Sequence, residues 1–191
     1  IPETENQIIQ TVVPEAMTIP YMPQDSLPHL ESFNAIGVGC GLGITETSYQ
    51  LISNILQKSG LPLVLDADAL NSIASNKEWL LKIPKGSVIT PHPKEFDRLF
   101  GESSTTYERF EKQIDQAKKL GLYILLKGRF TSIVTPEGEV FFNINGNFTG
   151  AFLWPYAMNN CIFNQWLHEQ RWNKYFTGLN IFGNINFINE R

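Results

Sequence analysis

The chain has 191 residues, a length that suits one domain with a buried core. A hydrophobic content of 42% and a net charge of −4 indicate a globular protein, and they argue against a surface for nucleic acid or anionic membranes. No bilayer-spanning segment or leader peptide is visible, and two cysteines are too few for a disulfide framework, so we expect a cytoplasmic protein.

The order of predicted elements favours an α/β fold. Residues 1–33 are proline-rich and predict loops with one short helix at 5–10. Strands are predicted at 35–39, 62–67, 87–90 and 123–126. Helices are predicted up to about 58 with Thr45 or Thr47 as the cap, from 69, from 93, and at 107–120 with Gly121 as the end. A hairpin of strands 132–135 and 139–143 follows. We therefore expect a mostly parallel, doubly wound sheet with right-handed crossovers and an antiparallel edge hairpin.

The composition changes at about Asn147. Residues 148–191 hold eleven of the 23 aromatic residues and three of the four Trp, are rich in Asn, and contain no Asp. We interpret residues 1–147 as a partial domain and residues 148–191 as an aberrant tail of unknown fold, with a frameshift or a misassigned sequence favoured over a real aromatic-rich subdomain.

A glycine run, GVGCGLG from Gly37 to Gly43, closes the first regular strand. Glycines let a backbone approach a ligand closely, and the following helix presents N–H groups to an anion. A tight strand-to-helix turn without a ligand is the alternative. Cys40 is expected to be a small buried residue rather than a nucleophile.

Polar residues also follow the next two strands, where an open α/β sheet binds its ligands; they are Asp66, Asp68, Asn71, Thr90 and His92. Asp66 and Asp68 would point the same way on an extended chain and could bind Mg²⁺ through water or a substrate hydroxyl. Capping of the next helix by Asp68 is the alternative.

His92 lies between two prolines, which stiffen the backbone around an imidazole that can donate or accept hydrogen bonds. A solvated loop histidine is the alternative. Glu95 falls in the first turn of the predicted helix, where the helix dipole alone favours a carboxylate.

The run LLKGRFT ends a purely apolar strand with a lysine and a glycine. Lys127 could meet a phosphate as a point charge, and the Thr131 hydroxyl could add a contact. A basic turn between two strands is the alternative.

Together, the runs GVGCGLG, LVLDADALN (from Leu63), ITPHPKEFDRLFG (from Ile89) and LLKGRFT (from Leu125) resemble the ADP/ATP-dependent NAD(P)H-hydrate dehydratase family of the ribokinase superfamily. The resemblance covers about residues 1–147. It implies that substrate is bound by Gly41, Asp68, Asn71 and His92, and nucleotide by Lys127, Gly128, Arg129, Phe130 and Thr131.

The resemblance further implies repair of hydrated NADH or NADPH with ADP or ATP as phosphoryl donor and Mg²⁺, in a homo-oligomer. The family's Gly-Gly-x-Gly-Asp loop and opening strand have no counterpart here, so no catalytic residue is identified, metal ligands remain unknown, and we expect a domain incomplete at both ends with impaired activity. A ribokinase-like small-molecule kinase and a non-catalytic truncated nucleotide-binding fragment are the alternatives.

Overall fold

Helices and strands alternate along the computed structural model, which describes residues 6–12, 33–143 and 187–189. The helices are α1 (Asn6–Val12), α2 (Glu46–Lys58), α3 (Ala67–Ser75), α4 (Pro93–Phe100) and α5 (Thr106–Leu120), with a 3₁₀ turn at Lys77–Lys82. The strands are β1 (Ile36–Val38), β2 (Leu63–Leu65), β3 (Val88–Ile89), β4 (Tyr123–Leu126), β5 (Thr131–Val134), β6 (Val140–Asn143) and β7 (Phe187–Asn189). Among these residues no helix has the length and apolar character to cross a membrane.

The described strands form one mixed sheet in the order β1 to β7. The first four strands are parallel, and each remaining strand pairs antiparallel with its predecessor. The predicted α/β class, with parallel strands and an antiparallel hairpin beyond them, is confirmed. β7 lies inside the segment predicted to be a separate tail, yet it pairs with β6. The remainder of that tail lies outside the described residues, and the division at residue 147 stays a prediction.

Local sequence signals explain where the helices begin and end. The Thr45 hydroxyl accepts a hydrogen bond from Ser48 N, which confirms a cap predicted from the sequence. Gly121 ends α5 in the left-handed conformation, with φ 69°, which glycine adopts without steric cost. α3 packs against both α2 and α4, and α4 packs against α5. The helices therefore form a layer, as successive right-handed crossovers in one direction require.

The core lies between this helix layer and the sheet. Side chains that alternate along the strands contribute to it, and they include Leu63, Leu65, Ile89, Ile124, Leu126 and Val134. The intervening residues point to the opposite face of the sheet. These are Val64, Val88, Tyr123, Leu125 and Ile133, and they too are buried. Burial on both faces is expected of the central strands of a parallel sheet.

Candidate functional site

The carboxyl ends of the four parallel strands bring most of the predicted site residues to one edge of the sheet. The glycine turn follows β1, Asp66 follows β2, His92 lies three residues after β3, and Lys127 follows β4. Backbone bonds extend the parallel pairing past the strand ends: Asp66 N donates to Val38 O (3.1 Å), Thr90 N to Leu65 O (3.0 Å) and Lys127 N to Pro91 O (2.9 Å). The site is therefore built on extended backbone that continues the sheet.

Two glycines of the turn after β1 have different structural requirements. Gly39 has φ +136°, and a Cβ placed on it would lie 1.8 Å from the carbonyl oxygen of Asp66. Gly41 has φ +68°, and its Cβ would meet nothing within 4 Å. Gly39 is thus required by the close approach of two backbone segments, whereas Gly41 faces open space in which a ligand can lie.

Asp66 is the most heavily engaged carboxylate at this edge. Its Oδ1 lies 2.5 Å from Lys127 Nζ and also accepts the N–H of Ala67 at 2.8 Å, which caps α3. The two side chains of the ion pair are 4% and 12% exposed. The suggested capping of this helix by Asp68 is wrong, because α3 begins at Ala67 and Asp66 is its cap.

Asp68 acts separately from Asp66. Because α3 begins at Ala67, the extended chain expected for Asp66 and Asp68 is wrong, although both carboxylates face the glycine turn. Asp68 Oδ2 instead accepts the N–H of Gly43 at 2.8 Å, which ties α3 to the glycine turn. Ala67 between them has φ +46°, the one positive value among the described non-glycine residues. Backbone strain of this kind often occurs at functional sites.

The described carboxylates do not fit a magnesium site held by the protein. Asp66 is neutralised by Lys127, and Asp68 is bound to a backbone N–H. Within residues 6–12, 33–143 and 187–189, no three His, Cys, Asp or Glu side chains are grouped so that they could hold a metal ion. A magnesium ion here would depend on other ligands, and nucleotide phosphates commonly supply them.

His92 caps α4 through its side chain. Its Nδ1 accepts the N–H groups of Lys94 (3.1 Å) and Glu95 (3.2 Å), while Glu95 Oε2 accepts the N–H of His92 at 2.8 Å. The His92 side chain is 45% exposed, so the ring is both anchored and accessible. Thr90, two residues earlier, is buried, and its hydroxyl faces Leu65 O at 3.5 Å.

Asn71 lies on α3, one turn from Asp68. Its amide oxygen accepts a hydrogen bond from Arg98 NH1 of α4 at 2.8 Å. This contact joins two helices, and a substrate role for Asn71 stays a prediction that would require the residue to bind ligand beside this contact.

Cys40 lies in the glycine turn and is exposed, so the expectation of a buried cysteine is wrong. Its Sγ is 3.9 Å from Asp66 Oδ2. Partial desolvation and then the negative charge of Asp66 raise the pKa of the Cys40 thiol, Asp68 adds to this effect, and the Lys127 ammonium opposes it. The thiol is therefore less readily ionised than an ordinary cysteine, and the expectation that it is not a nucleophile stays a prediction.

The predicted nucleotide segment forms the turn between β4 and β5. Lys127 points to Asp66, the Arg129 guanidinium lies 5.5 Å from the centre of the Phe130 ring, and Phe130 is exposed. Thr131 begins β5 and is buried. The phosphate-binding role of this segment stays a prediction, with Lys127 already holding a partner before any nucleotide binds.

Sequence reasoning missed two relationships that shape this site. The sequence predicts Asp66 at the site. Its ion pair with Lys127 joins residues 61 positions apart, and no local sequence pattern predicts a contact over such a separation. The steric demand on Gly39 likewise depends on the approach of Asp66. The glycine run signalled a special turn without showing which glycine is indispensable.

A family model described as NAD(P)H-hydrate dehydratase, of the carbohydrate-kinase type, matches residues 1–151. The chain belongs to this family. The resemblance noted in the sequence is thereby confirmed. The ADP-dependent (S)-NAD(P)H-hydrate dehydratase of Neisseria meningitidis is 35% identical over 131 residues, which make up 64% of this chain and 43% of that protein.

Solved structures agree with this assignment. The ADP/ATP-dependent NAD(P)H-hydrate dehydratase of Bacillus subtilis, co-crystallised with ATP and Mg²⁺, is 29% identical with a TM-score of 0.58, over 76% of this chain and 52% of that one. A ribokinase-like superfamily protein of Enterococcus faecalis is 26% identical with a TM-score of 0.60, over 76% and 51% of the two chains. The ribokinase-like fold is therefore confirmed. The chain spans between 23% and 48% of the length of the curated relatives it matches.

Proposed function

We propose that this chain forms the substrate-binding side, and part of the nucleotide-binding side, of the active site of a dehydratase that repairs (S)-NAD(P)H-hydrate with ADP or ATP. The observation that carries the proposal is the convergence of open Gly41, anchored His92 and the Asp66–Lys127 pair at the carboxyl ends of β1 to β4. Family membership favours a hydrated nicotinamide over the vitamin-precursor alcohol of a related kinase.

The nucleotide and magnesium parts of the proposal draw support from relatives. The Neisseria protein is ADP-dependent by name, and the Bacillus structure was co-crystallised with ATP and Mg²⁺. In this chain Lys127 to Thr131 are the residues we expect along the nucleotide. The described carboxylates do not form a metal site by themselves, so a magnesium ion would arrive with the nucleotide.

In the proposed chemistry the protein acts by positioning the reactants more than by taking part covalently. A phosphoryl group would move from the nucleotide to the oxygen of the ring hydroxyl, whose proton leaves, and the shortened nucleotide would keep the electrons of the broken phosphorus–oxygen bond. The phosphate would then depart with the electrons of the carbon–oxygen bond while the adjacent ring carbon loses a proton, and the electrons of that carbon–hydrogen bond restore the ring double bond. Residues fixed by the sheet can hold the hydroxyl and the phosphoryl donor in line. The family's Gly-Gly-x-Gly-Asp loop, which brings phosphate donors and a carboxylate, does not occur in the sequence after Asn147. We therefore expect binding to exceed turnover in this chain.

The test supplies the chain with hydrated NADH, Mg²⁺ and either ADP or ATP, and follows the recovery of reduced-nicotinamide absorbance. Calorimetry with hydrated NADH measures binding separately. We expect measurable binding and a rate lower by on the order of 10²–10⁴ than that of the Neisseria relative, because the carboxylate is missing. A rate equal to that of the Neisseria relative would show that another carboxylate takes the place of the missing one. A stable phosphorylated alcohol from a vitamin precursor would favour the kinase alternative, and absence of all binding would leave a non-catalytic fragment.

Assembly and location form part of the same proposal. We expect a homo-oligomer, as the family resemblance implies, and a cytoplasmic location, as expected from the sequence. Sedimentation equilibrium of the purified chain and fractionation of the source cells measure these two properties. A monomer at micromolar concentration would contradict the oligomeric expectation without affecting the ligand-binding one.

A further inference from the structure

The protonation pattern of the His92 ring follows from its role as a helix cap. Nδ1 accepts two backbone hydrogen bonds, from Lys94 N at 3.1 Å and Glu95 N at 3.2 Å. A ring nitrogen that accepts hydrogen bonds carries no proton, so in a neutral imidazole the proton must lie on Nε2. The first turn of α4 thus selects one of the two tautomers.

Three surrounding features keep the ring in this arrangement. Pro93 follows His92 and disfavours a helical backbone there, and His92 has the extended φ of −79° and ψ of 167° that a cap requires. Pro91 O accepts the N–H of Lys127, which fixes the preceding residue to the end of β4. Glu95, whose side chain is 7% exposed, accepts the backbone N–H of His92 at 2.8 Å. The backbone of His92 is therefore fixed by the residues before and after it in the chain.

The opposite edge of the ring carries Nε2. Nε2 lies 3.5 Å from Glu95 Oε1, beyond an ordinary hydrogen-bond distance, and the side chain is 45% exposed. Nε2–H is therefore the donor that the ring has left for a ligand, while the lone pair of Nδ1 is occupied by the helix.

We propose that His92 binds its ligand as an Nε2–H donor and does not act as a base. Its partner would be an acceptor oxygen, such as the ring hydroxyl or the carboxamide carbonyl of a hydrated nicotinamide. Glu95 is a positioning residue in this arrangement, since it acts on the ligand only through His92. The choice of ligand rests on the proposed function, whereas the tautomer rests on the structure of the chain alone.

The tautomer is measured on the ligand-free chain by ¹⁵N-edited NMR of the histidine rings, with the His92→Asn variant identifying the His92 signals. We expect a protonated Nε2 and an unprotonated Nδ1 at a pH where the ring is neutral. A proton on Nδ1 would overturn the inference and leave the proposed function untouched. The measurement requires no activity and no assumption about the ligand.

Ligand contact is tested with two substitutions and calorimetric titration of hydrated NADH. Asn is a strong helix cap, so His92→Asn should preserve the thermal midpoint while weakening binding by roughly 3- to 10-fold, the effect of one lost hydrogen bond. His92→Ala should lower both the midpoint and the affinity. Glu95→Gln retains an acceptor for His92 N–H, so it should preserve the midpoint and the tautomer. Unchanged binding by His92→Asn would overturn the contact, and a wild type with the expected tautomer but no binding would refute the proposed function instead.

Discussion

The Lys127 ammonium lies 2.5 Å from Asp66 Oδ1 and joins the end of β4 to the end of β2, across the end of β3 between them. Both side chains are largely buried, at 12% and 4% exposure. A pair of this kind contributes little when compared with apolar residues, but removing one partner leaves a buried charge without compensation. The stability of this edge of the sheet therefore depends on keeping both Asp66 and Lys127.

The first prediction concerns the stability of this pair. Asp66→Asn should lower the free energy of unfolding by about 3–5 kcal/mol, because the Lys127 ammonium would remain buried without its carboxylate. Adding Lys127→Met should recover a large part of that loss, since no charge then remains. Urea unfolding of the two single variants and the double variant measures the coupling. Strictly additive losses would show that the two charges do not interact.

The second prediction concerns the nucleotide. If Lys127 meets a phosphate, Lys127→Met should weaken ADP binding by about 1.5–3 kcal/mol, the usual cost of losing a hydrogen bond to a charged group. The Lys127 ammonium must then share its contact with Asp66 or exchange it for the phosphate. Because salt screens the attraction between the ammonium and the phosphate, added salt should weaken ADP binding less in the variant than in the wild type. Calorimetry at two ionic strengths makes the comparison.

Lys58→Met is the matched control for the second prediction, because Lys58 is exposed in the last turn of α2, outside the predicted nucleotide segment. It removes the same charge from another part of the molecule. An equal loss of ADP affinity in both variants would mean that ADP binding depends only on the total charge, and the specific role of Lys127 would be contradicted.

The sequence predicts the frame of this molecule well, because the frame depends on local signals. Apolar runs predict β4 correctly at 123–126, and Gly121 predicts the end of α5. The Thr45 cap is likewise encoded by its own neighbours. Such features require only residues that are close in the chain.

The arrangement within the site is less predictable, since it depends on contacts between distant residues. The ion pair of Asp66 with Lys127 and the approach of Asp66 O to Gly39 both arise only after the strands have paired. The start of α3 at Ala67 reverses the roles expected for Asp66 and Asp68, because Ala67 adopts a positive φ that its residue type disfavours. Tertiary packing overrides local preference at that position.

The third prediction separates the two glycines of the turn after β1. Gly39→Ala should destabilise the fold by at least about 3 kcal/mol, because its Cβ would overlap the Asp66 carbonyl. Gly41→Ala meets no atom within 4 Å and should cost only about 1–2 kcal/mol for its left-handed backbone. Thermal unfolding of both variants measures the difference.

Gly41→Ala is also informative about the ligand. Its methyl group would project into the open space where substrate is expected, so hydrated NADH should bind more weakly even though the fold is retained. Equal stability of the two variants would show that β1 and β2 can separate at this point without cost. Unchanged substrate affinity in Gly41→Ala would remove Gly41 from the proposed site.

The last prediction uses Cys40 as a reporter of charge at the site. Its raised thiol pKa leaves less thiolate at pH 7 than in an unperturbed cysteine, so alkylation by iodoacetamide should be slower there and should increase as the pH rises. The experiment is performed in a Cys161→Ser background so that one thiol reacts.

Asp68→Asn removes a negative charge that raises the pKa of the Cys40 thiol, and it should shift the pH profile of the alkylation rate to lower pH. Lys127→Met removes the opposing positive charge and should shift the profile to higher pH. Because the two substitutions act in opposite directions, a general loosening of the turn cannot produce both results, and shifts of the same sign would contradict the charge arrangement around Asp66.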